Sequence, residues 1–198
     1  VITKDMKKLL TILCLVLLVS CSNEVPSDKL VERNGITYEI NSTTPFTGSS
    51  VGYHDNDQLS VKGNYKNGEK DGLWESYYEN GQLESKGNYK DGKEEGLYES
   101  YHENSQLKEK GNLKDGKENG LWEFFYENGQ LERRGNNKDG EMDGLYELFY
   151  KDGQIEERGN YKDGELDGLS EIFYKDGRLR NTFCLKNGKY VTMSYCDN

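Results

Sequence analysis

Lys62 to Ser85 reads KGNYKNGEKDGLWESYYENGQLES, and the 24 residues from Lys86 read KGNYKDGKEEGLYESYHENSQLKE. The same period runs on without a gap from Lys110, Arg134 and Arg158, so residues 62–181 are five copies of one 24-residue unit. Every copy keeps Gly-Asn, a Lys-(Asn/Asp)-Gly triplet, Gly-Leu, a Glu two residues after that Leu, and aromatic positions beyond it. Such a period marks a stack of supersecondary units, each of which buries apolar surface only against its neighbours. A degenerate copy comes first: Gly48, Tyr53, His54, Asn56, Gln58 and Leu59 stand in phase with Gly72, Tyr77, Tyr78, Asn80, Gln82 and Leu83. A truncated copy with Leu185, Asn187 and Gly188 in phase comes last. Residues 34–61 are therefore expected as an N-terminal capping repeat and residues 182–198 as a C-terminal cap.

Each unit carries two turn signals, Asn67-Gly68 and Asn80-Gly81 in the first. Asn-Gly and Asp-Gly tolerate positive φ at both central positions, which a two-residue type I′ hairpin turn needs. Asp91-Gly92, Asn128-Gly129, Asp139-Gly140 and Asp152-Gly153 repeat the device, and Ser105 replaces the glycine in one copy, which should be the weakest hairpin. The expectation is all-β: 24-residue hairpin units forming a single elongated, twisted antiparallel sheet. With Asn80-Gly81 as a two-residue turn, Tyr78 faces Leu83, Glu75 faces Lys86 and Trp74 faces Gly87. The same arithmetic sets Glu99 against Lys110, Glu123 against Arg134 and Glu147 against Arg158, whereas Glu171 meets Thr182. Repeated opposite charges support the register, because a one-residue slip would turn every side chain to the wrong face. The aromatic residue opposite each glycine covers backbone that has no side chain.

Period-two alternation assigns the faces. One collects Trp74, Tyr78, Leu83 and Tyr89 with equivalents such as Tyr98, Trp122, Tyr126, Leu131, Tyr146, Tyr150 and Tyr174. The other carries the Glu and Lys/Arg pairs with a thinner line of Leu73, Tyr77, Phe125, Phe149 and Phe173. With 33% hydrophobic residues and fifteen tyrosines, the chain has too little apolar material for a two-layer core, so one self-covered sheet is expected. The aromatic stripe Trp74, Tyr78, Tyr98, Trp122, Tyr126, Tyr146, Tyr150 and Tyr174 is the candidate binding face, since exposed Tyr and Trp are typical contact residues.

The N-terminus has the order of an export signal: Lys7 and Lys8, an apolar run of eleven residues from Leu9 to Val19, then Ser20 and Cys21, with Met6 expected as the start. The run is far short of the roughly twenty residues a membrane-spanning helix needs. Leu18-Val19-Ser20-Cys21 resembles the bacterial lipobox, so residues 1–20 are expected as a lipoprotein signal peptide, Cys21 as the lipidated anchor, and residues 21–33 as a flexible tether. Removing residues 1–20 takes away Lys4, Lys7, Lys8 and Asp5 and leaves 23 basic against 35 acidic side chains, a net charge of −12. That field disfavours nucleic acid and bare anionic lipid and favours a basic partner. Of the remaining cysteines, Cys184 and Cys196 can pair in an oxidising compartment, although a two-residue turn at Asn187-Gly188 puts Cys184 opposite Val191 and leaves the bridge open.

The unit Gly72-Leu73-Trp74-Glu75 with Asn80-Gly81-Gln82-Leu83, and Lys-(Asn/Asp)-Gly between copies, resembles the MORN-repeat variant, specifically bacterial proteins grouped as the YwqK family of toxin-antitoxin antitoxins. Asn34-Gly35-Ile36-Thr37-Tyr38 and Pro45-Phe46-Thr47-Gly48 resemble the lead-in to their first repeat, and the likeness covers residues 34–190. It implies a hairpin array with an open or grooved face that relatives use to bind proteins or membranes, and an antitoxin or immunity role against an envelope-directed toxin. Ser22 after the anchor resembles the enteric sorting signal for the outer membrane.

Little in the chain reads as chemistry. His54 and His102 stand where Tyr78 and Tyr126 stand in other copies and read as aromatic substitutes, with no ligand-spaced His or Cys near either. The recurrent Glu75, Glu99, Glu123, Glu147 and Glu171 are too alike in setting to form an acid–base dyad, which needs two unlike environments. Asp139-Gly140-Glu141-Met142-Asp143-Gly144 and Asp163-Gly164-Glu165-Leu166-Asp167-Gly168 have the acidity of calcium loops, but the EF-hand spacing is missing and turn geometry already accounts for Asp-Gly. No catalytic residue, metal or cofactor is expected. The expectation is an envelope-anchored protein-binding or scaffolding module, with an antitoxin or a purely structural envelope protein as alternatives.

Overall fold

In a computed structural model the described residues are 24–197. They form a 17-stranded sheet and a separate two-stranded one, with no helix beyond two short 3₁₀ turns. The strands follow one another in chain order. Leu59–Lys66 pairs with Gly72–Tyr77, which pairs with Leu83–Lys90, then Lys93–Tyr101, Leu107–Lys114 and onward to Lys189–Val191, all antiparallel. Each unit thus supplies two long strands, as the period predicts.

The two turn signals fold differently. At Lys-(Asn/Asp)-Gly both central residues have positive φ (53° and 83° at Asn67-Gly68, 48° and 78° at Asp91-Gly92), the expected type I′ turn. At Asn80-Gly81 only the glycine is left-handed, at 80°; Gly81 N donates to Tyr78 O (2.8 Å) and Tyr78 N to Gln82 O (2.9 Å). This is a three-residue loop closed by a glycine bulge, not the two-residue turn expected. Ser76 pairs with Ser85 but Tyr77 with Leu83, so Glu84 is the extra residue. The bulge restores the expected register beyond it: Glu75 meets Lys86 and Trp74 meets Gly87. At the tip the expectation fails, for Leu83 lies opposite Tyr77 and Leu131 opposite Phe125, on the charged face rather than the aromatic one. Ser105 holds the left-handed position at φ 65° without glycine's freedom, and its hydroxyl donates to Gln82.

Both rows of hairpin tips are stitched together. On one edge Gly92 N donates to Lys70 O, Gly116 N to Glu94 O and Gly140 N to Glu118 O, at 2.9–3.0 Å. On the other, Asn80, Asn104 and Asn128 donate their side-chain amides to the backbone carbonyls of Glu103, Glu127 and Lys151 one unit on, while capping their own turns. These bonds fix the stacking of units that share no continuous core. The buried apolar residues are Trp74 and Trp122 along the array, Phe46 and Val51 at its start, and Cys184 and Leu185 at its end.

The ends are capped. Residues 21–33, expected as a flexible tether, carry regular structure from Val25: Val25–Pro26 pairs in parallel with Ser50 and Val51, and Leu30–Arg33 forms a hairpin with Ile36–Glu39. Thr37 N donates to Gly68 O (2.9 Å), which ties that hairpin to the first turn. At the other end Cys184 lies opposite Val191, as the turn arithmetic requires, yet a 3₁₀ turn at Met193–Tyr195 brings Cys196 back, and the two cysteines are joined in a disulfide.

Candidate functional surfaces

The expected aromatic contact stripe is largely used up inside the array. Trp74 and Trp122 are buried, each ring lying over the glycine of the preceding strand, Gly63 and Gly111, rather than the following one. Their Nε1–H groups donate to Asn64 O (3.0 Å) and Asn112 O (3.2 Å). The hydroxyls of Tyr78, Tyr126 and Tyr150 donate to the carbonyls of Tyr101, Phe149 and Phe173 in the next unit. His54 and His102 make the same link through Nε2 to Tyr77 O (2.7 Å) and Phe125 O (2.8 Å), which is the aromatic-substitute role. Tyr98 packs on Trp122 and Tyr146 on Tyr161, at ring separations of 6.0 and 5.7 Å. Of the eight candidates only Tyr174 is exposed, with Arg178 and Arg180 over its ring. The rings staple unit to unit, because glycines and bare carbonyls of adjacent strands need covering, and this leaves less of the stripe exposed than expected. Cys21 lies outside the described residues.

The opposite face is the open one. Along its middle runs an alternating charge ladder, Lys62, Glu75, Lys86, Glu99, Lys110, Glu123, Arg134, Glu147, Arg158 and Glu171, on ten neighbouring strands. The ion pairs close backwards, Lys62 to Glu75 (2.7 Å), Lys86 to Glu99 (2.6 Å) and Lys110 to Glu123 (2.9 Å). Glu171, expected without a basic neighbour, is paired with Arg158. The Glu99 partner holds the Lys86 ammonium above its usual range, and Lys86 in turn holds the Glu99 carboxyl below its own. Each base also lies near an aromatic ring, as Lys62 does over Tyr77 (5.6 Å) and Arg158 over Phe173 (5.4 Å).

Beside the ladder runs a second one, in which Leu73 meets Asn88, Leu97 meets Asn112, Leu121 meets Asn136 and Leu145 meets Asn160. The leucines are 45%, 49%, 46% and 45% exposed, and Leu169 extends the row at 37%. Leu73 was expected on this face, as one of a thinner apolar line and outside the candidate contact stripe. The signal was there, since Leu follows the conserved-phase glycine in all five copies and alternation turns it away from Trp74.

On the stapled face, the first two units hold a cavity of about 200 Å³ bordered by Trp74, Tyr89 and Tyr98, with Ser76 and Ser85 on its floor. Tyr89 donates to Glu94 (3.0 Å), and burial with that carboxylate pushes its phenol to about 12. A second hollow shares Ser76, Ser85 and Tyr98 and reaches Ser100 and Glu109, whose side chains are hydrogen-bonded at 2.9 Å. Among the described residues no three His, Cys, Asp or Glu side chains gather as a metal site, and no helix is long and apolar enough to cross a membrane.

The MORN repeat variant family matches the chain at residues 46–67, 70–91, 94–115, 118–139 and 142–163, more than half its length, and the chain belongs to that family. The first match falls on the copy read as degenerate, and the copy at residues 158–181 lies mostly beyond the last. No curated protein matches the chain. Among solved structures it is similar to the crystal structure of the GtfA/B complex bound to UDP and GlcNAc, at 11% identity and a TM-score of 0.23, over 84% of this chain. The chain spans only 32% of the length of that structure's chain, and at that TM-score the likeness bears on neither fold nor function.

Proposed function

We propose that the chain is a non-catalytic scaffold that binds a protein partner along its open face and is tethered to the bacterial envelope, at the outer membrane, through lipidated Cys21. The observation that carries the reading is the leucine row. Single exposed leucines are ordinary, but five at one position of successive units make a regular row of apolar contacts with asparagines between them. Two strands per unit at about 4.8 Å each put the leucines about 10 Å apart, a row about 40 Å long. The adjoining ladder of opposite charges would hold a partner in register more than it would tighten binding. The net −12 beyond residue 20 favours a basic partner. A second reading, immunity against a basic toxin, draws on that same charge.

The test is affinity capture of the tagged lipoprotein from its own envelope at low and high salt, beside a Leu97→Thr/Leu121→Thr variant, which replaces the leucines with a polar, strand-favouring residue. A partner retained at high salt and lost in the variant supports the scaffold. A basic protein released by salt supports immunity. No partner, or one the variant binds equally, overturns the leucine row as the contact.

A further inference from the structure

The array repeats in structure at 48 residues as well as at 24. The strands carrying Trp74, Trp122 and Ser170 are interrupted one residue before the glycine, whereas Lys93–Tyr101 and Glu141–Phe149 run through. The cavity beside Trp74 therefore has an equivalent beside Trp122, bordered by Tyr146 where the first has Tyr98. The two differ in their contents. Where the first has Ser76 and Ser85, the second has Phe124 and Arg133, and the Arg133 guanidinium lies 3.5 Å from the centroid of the Phe124 ring; Lys70, Tyr89 and Glu94 of the first are replaced by Glu118, Asn137 and Met142 in the second. That filled version retains only about 90 Å³, against about 200 Å³ for the first.

We propose that the hollow over Ser76 and Ser85 is a binding site for an arginine side chain presented by another protein, filled from within the chain one 48-residue period later. The registers are the same: Phe124 faces Arg133 as Ser76 faces Ser85. Substituting serine at both places removes a guanidinium and a ring and leaves hydroxyls joined to each other at 2.7 Å. Counter-charge comes from other positions than in the filled hollow, where Glu118 borders Arg133; the equivalent of Glu118 in the first is Lys70. Glu94 borders the hollow, and Glu109 lies one strand beyond, opposite Ser100. Burial and the nearby Glu109 together push the Tyr98 phenol upward, so negative charge is felt at the ring itself. The hollow already holds one cation at its far end, Lys70, 4.4 Å from the Trp74 ring centre and 4.8 Å from that of Tyr89. A planar guanidinium suits this setting better than an ammonium, because it stacks on a ring while donating to carboxylates in its plane. The site lies on the face opposite the leucine row and stands or falls independently of it.

The experiment uses an end-blocked Phe-Arg dipeptide and its Phe-citrulline counterpart, equal in shape but uncharged, titrated into the full chain while backbone amide shifts are followed. The expected result is one set of shifts, centred on Ser85, Gly87 and Tyr98, with the citrulline dipeptide weaker by about tenfold as a charge-assisted bond is lost. Ser85→Arg fills the hollow as Arg133 does and removes the shifts. Arg133→Ser opens the equivalent hollow and adds a second set around Gly135 and Tyr146, which keeps the test decisive should Ser85→Arg fail to fold. Equal binding of the two dipeptides, shifts that survive Ser85→Arg, or no second set in Arg133→Ser would overturn the assignment.

Discussion

The middle of the array and its last unit cover their glycines in opposite ways. In the middle, a large ring on one strand lies over the glycine of the strand before it, as Trp122 does over Gly111. In the last unit Ser170 stands in the tryptophan position, and its register partner, where earlier units have glycine, is Phe183. The large residue has moved to the outermost full strand, where Tyr190 packs on it at 5.7 Å. Ser170 is left almost wholly buried with its hydroxyl unpartnered. A unit with neighbours on both sides can lean its ring backwards; the terminal one must also close the stack, so volume shifts outward. Covering is thus a property of neighbouring pairs rather than of the unit.

The sharpest way to break this comparison is by alanine in the glycines. A Cβ on Gly111 would overlap the Trp122 indole, whereas one on Gly159 meets Leu166 and Ser170 at 3.3 Å, which a small adjustment relieves. Gly111→Ala should cost about 3 kcal/mol and Gly159→Ala under about 1, an overpacking difference. Because repeat arrays open locally, amide exchange within each unit is the measurement, and equal costs would deny that the middle and end differ.

At the end itself, the disulfide closes a segment of 12 residues in separation. Cys196→Ser should weaken the terminal hairpin by about 2–3 kcal/mol through the regained freedom of the open chain. Faster exchange at Leu185 with unchanged protection at Trp122 would locate the effect, and uniform loss across the array would contradict it. The size exchange is tested by a double-mutant cycle. Ser170→Trp and Phe183→Gly should each destabilise, while together they restore the internal arrangement, with a coupling of about 2 kcal/mol. An additive pair would mean that the exchange is incidental.

The smallest effect compares the charge ladder. Glu99 has a base in register on both sides, Lys86 and Lys110, whereas Glu171 has Arg158 on one side and Thr182 on the other. The folded-state pKa of Glu99 is lowered, chiefly by the Lys86 hydrogen bond. Its contribution is therefore full above the unfolded value of about 4.3 and is lost as pH falls through the lowered folded value. With both partners partly exposed it amounts to less than about 1 kcal/mol. Glu99→Gln should flatten the acid limb of the stability curve and cost more stability at neutral pH than Glu171→Gln does, because Glu99 loses a base on either side; equal costs at neutral pH would remove the distinction.

Much of this was legible in the residues. The Lys-(Asn/Asp)-Gly turns, the strand register that sets Glu75 opposite Lys86 and the faces of Leu73 and Trp74 follow from a fixed period and alternation alone. The tip at Asn80-Gly81 was not legible, because one left-handed glycine serves a three-residue bulged loop as well as a two-residue turn, and the two differ only in where Leu83 points. The packing role of the aromatic rings was hidden for a related reason. Tyr78 and Trp74 look exposed in any one unit, and only the next unit's carbonyl, which accepts from the Tyr78 hydroxyl, and the previous unit's glycine, which the Trp74 ring covers, engage them.

The sequence by itself determined the all-β architecture, the unit length, the strand register away from the bulged tips and the opposite charges on neighbouring strands, because these depend on contacts repeated at constant spacing. Only the tertiary structure decided which neighbour each ring covers, which of two flanking glutamates each lysine pairs with, how Cys196 reaches Cys184, and which of two equivalent hollows stands open. Those choices turn on side-chain direction and on volume shared across strands of different units, quantities that a repeating pattern leaves equal on both sides.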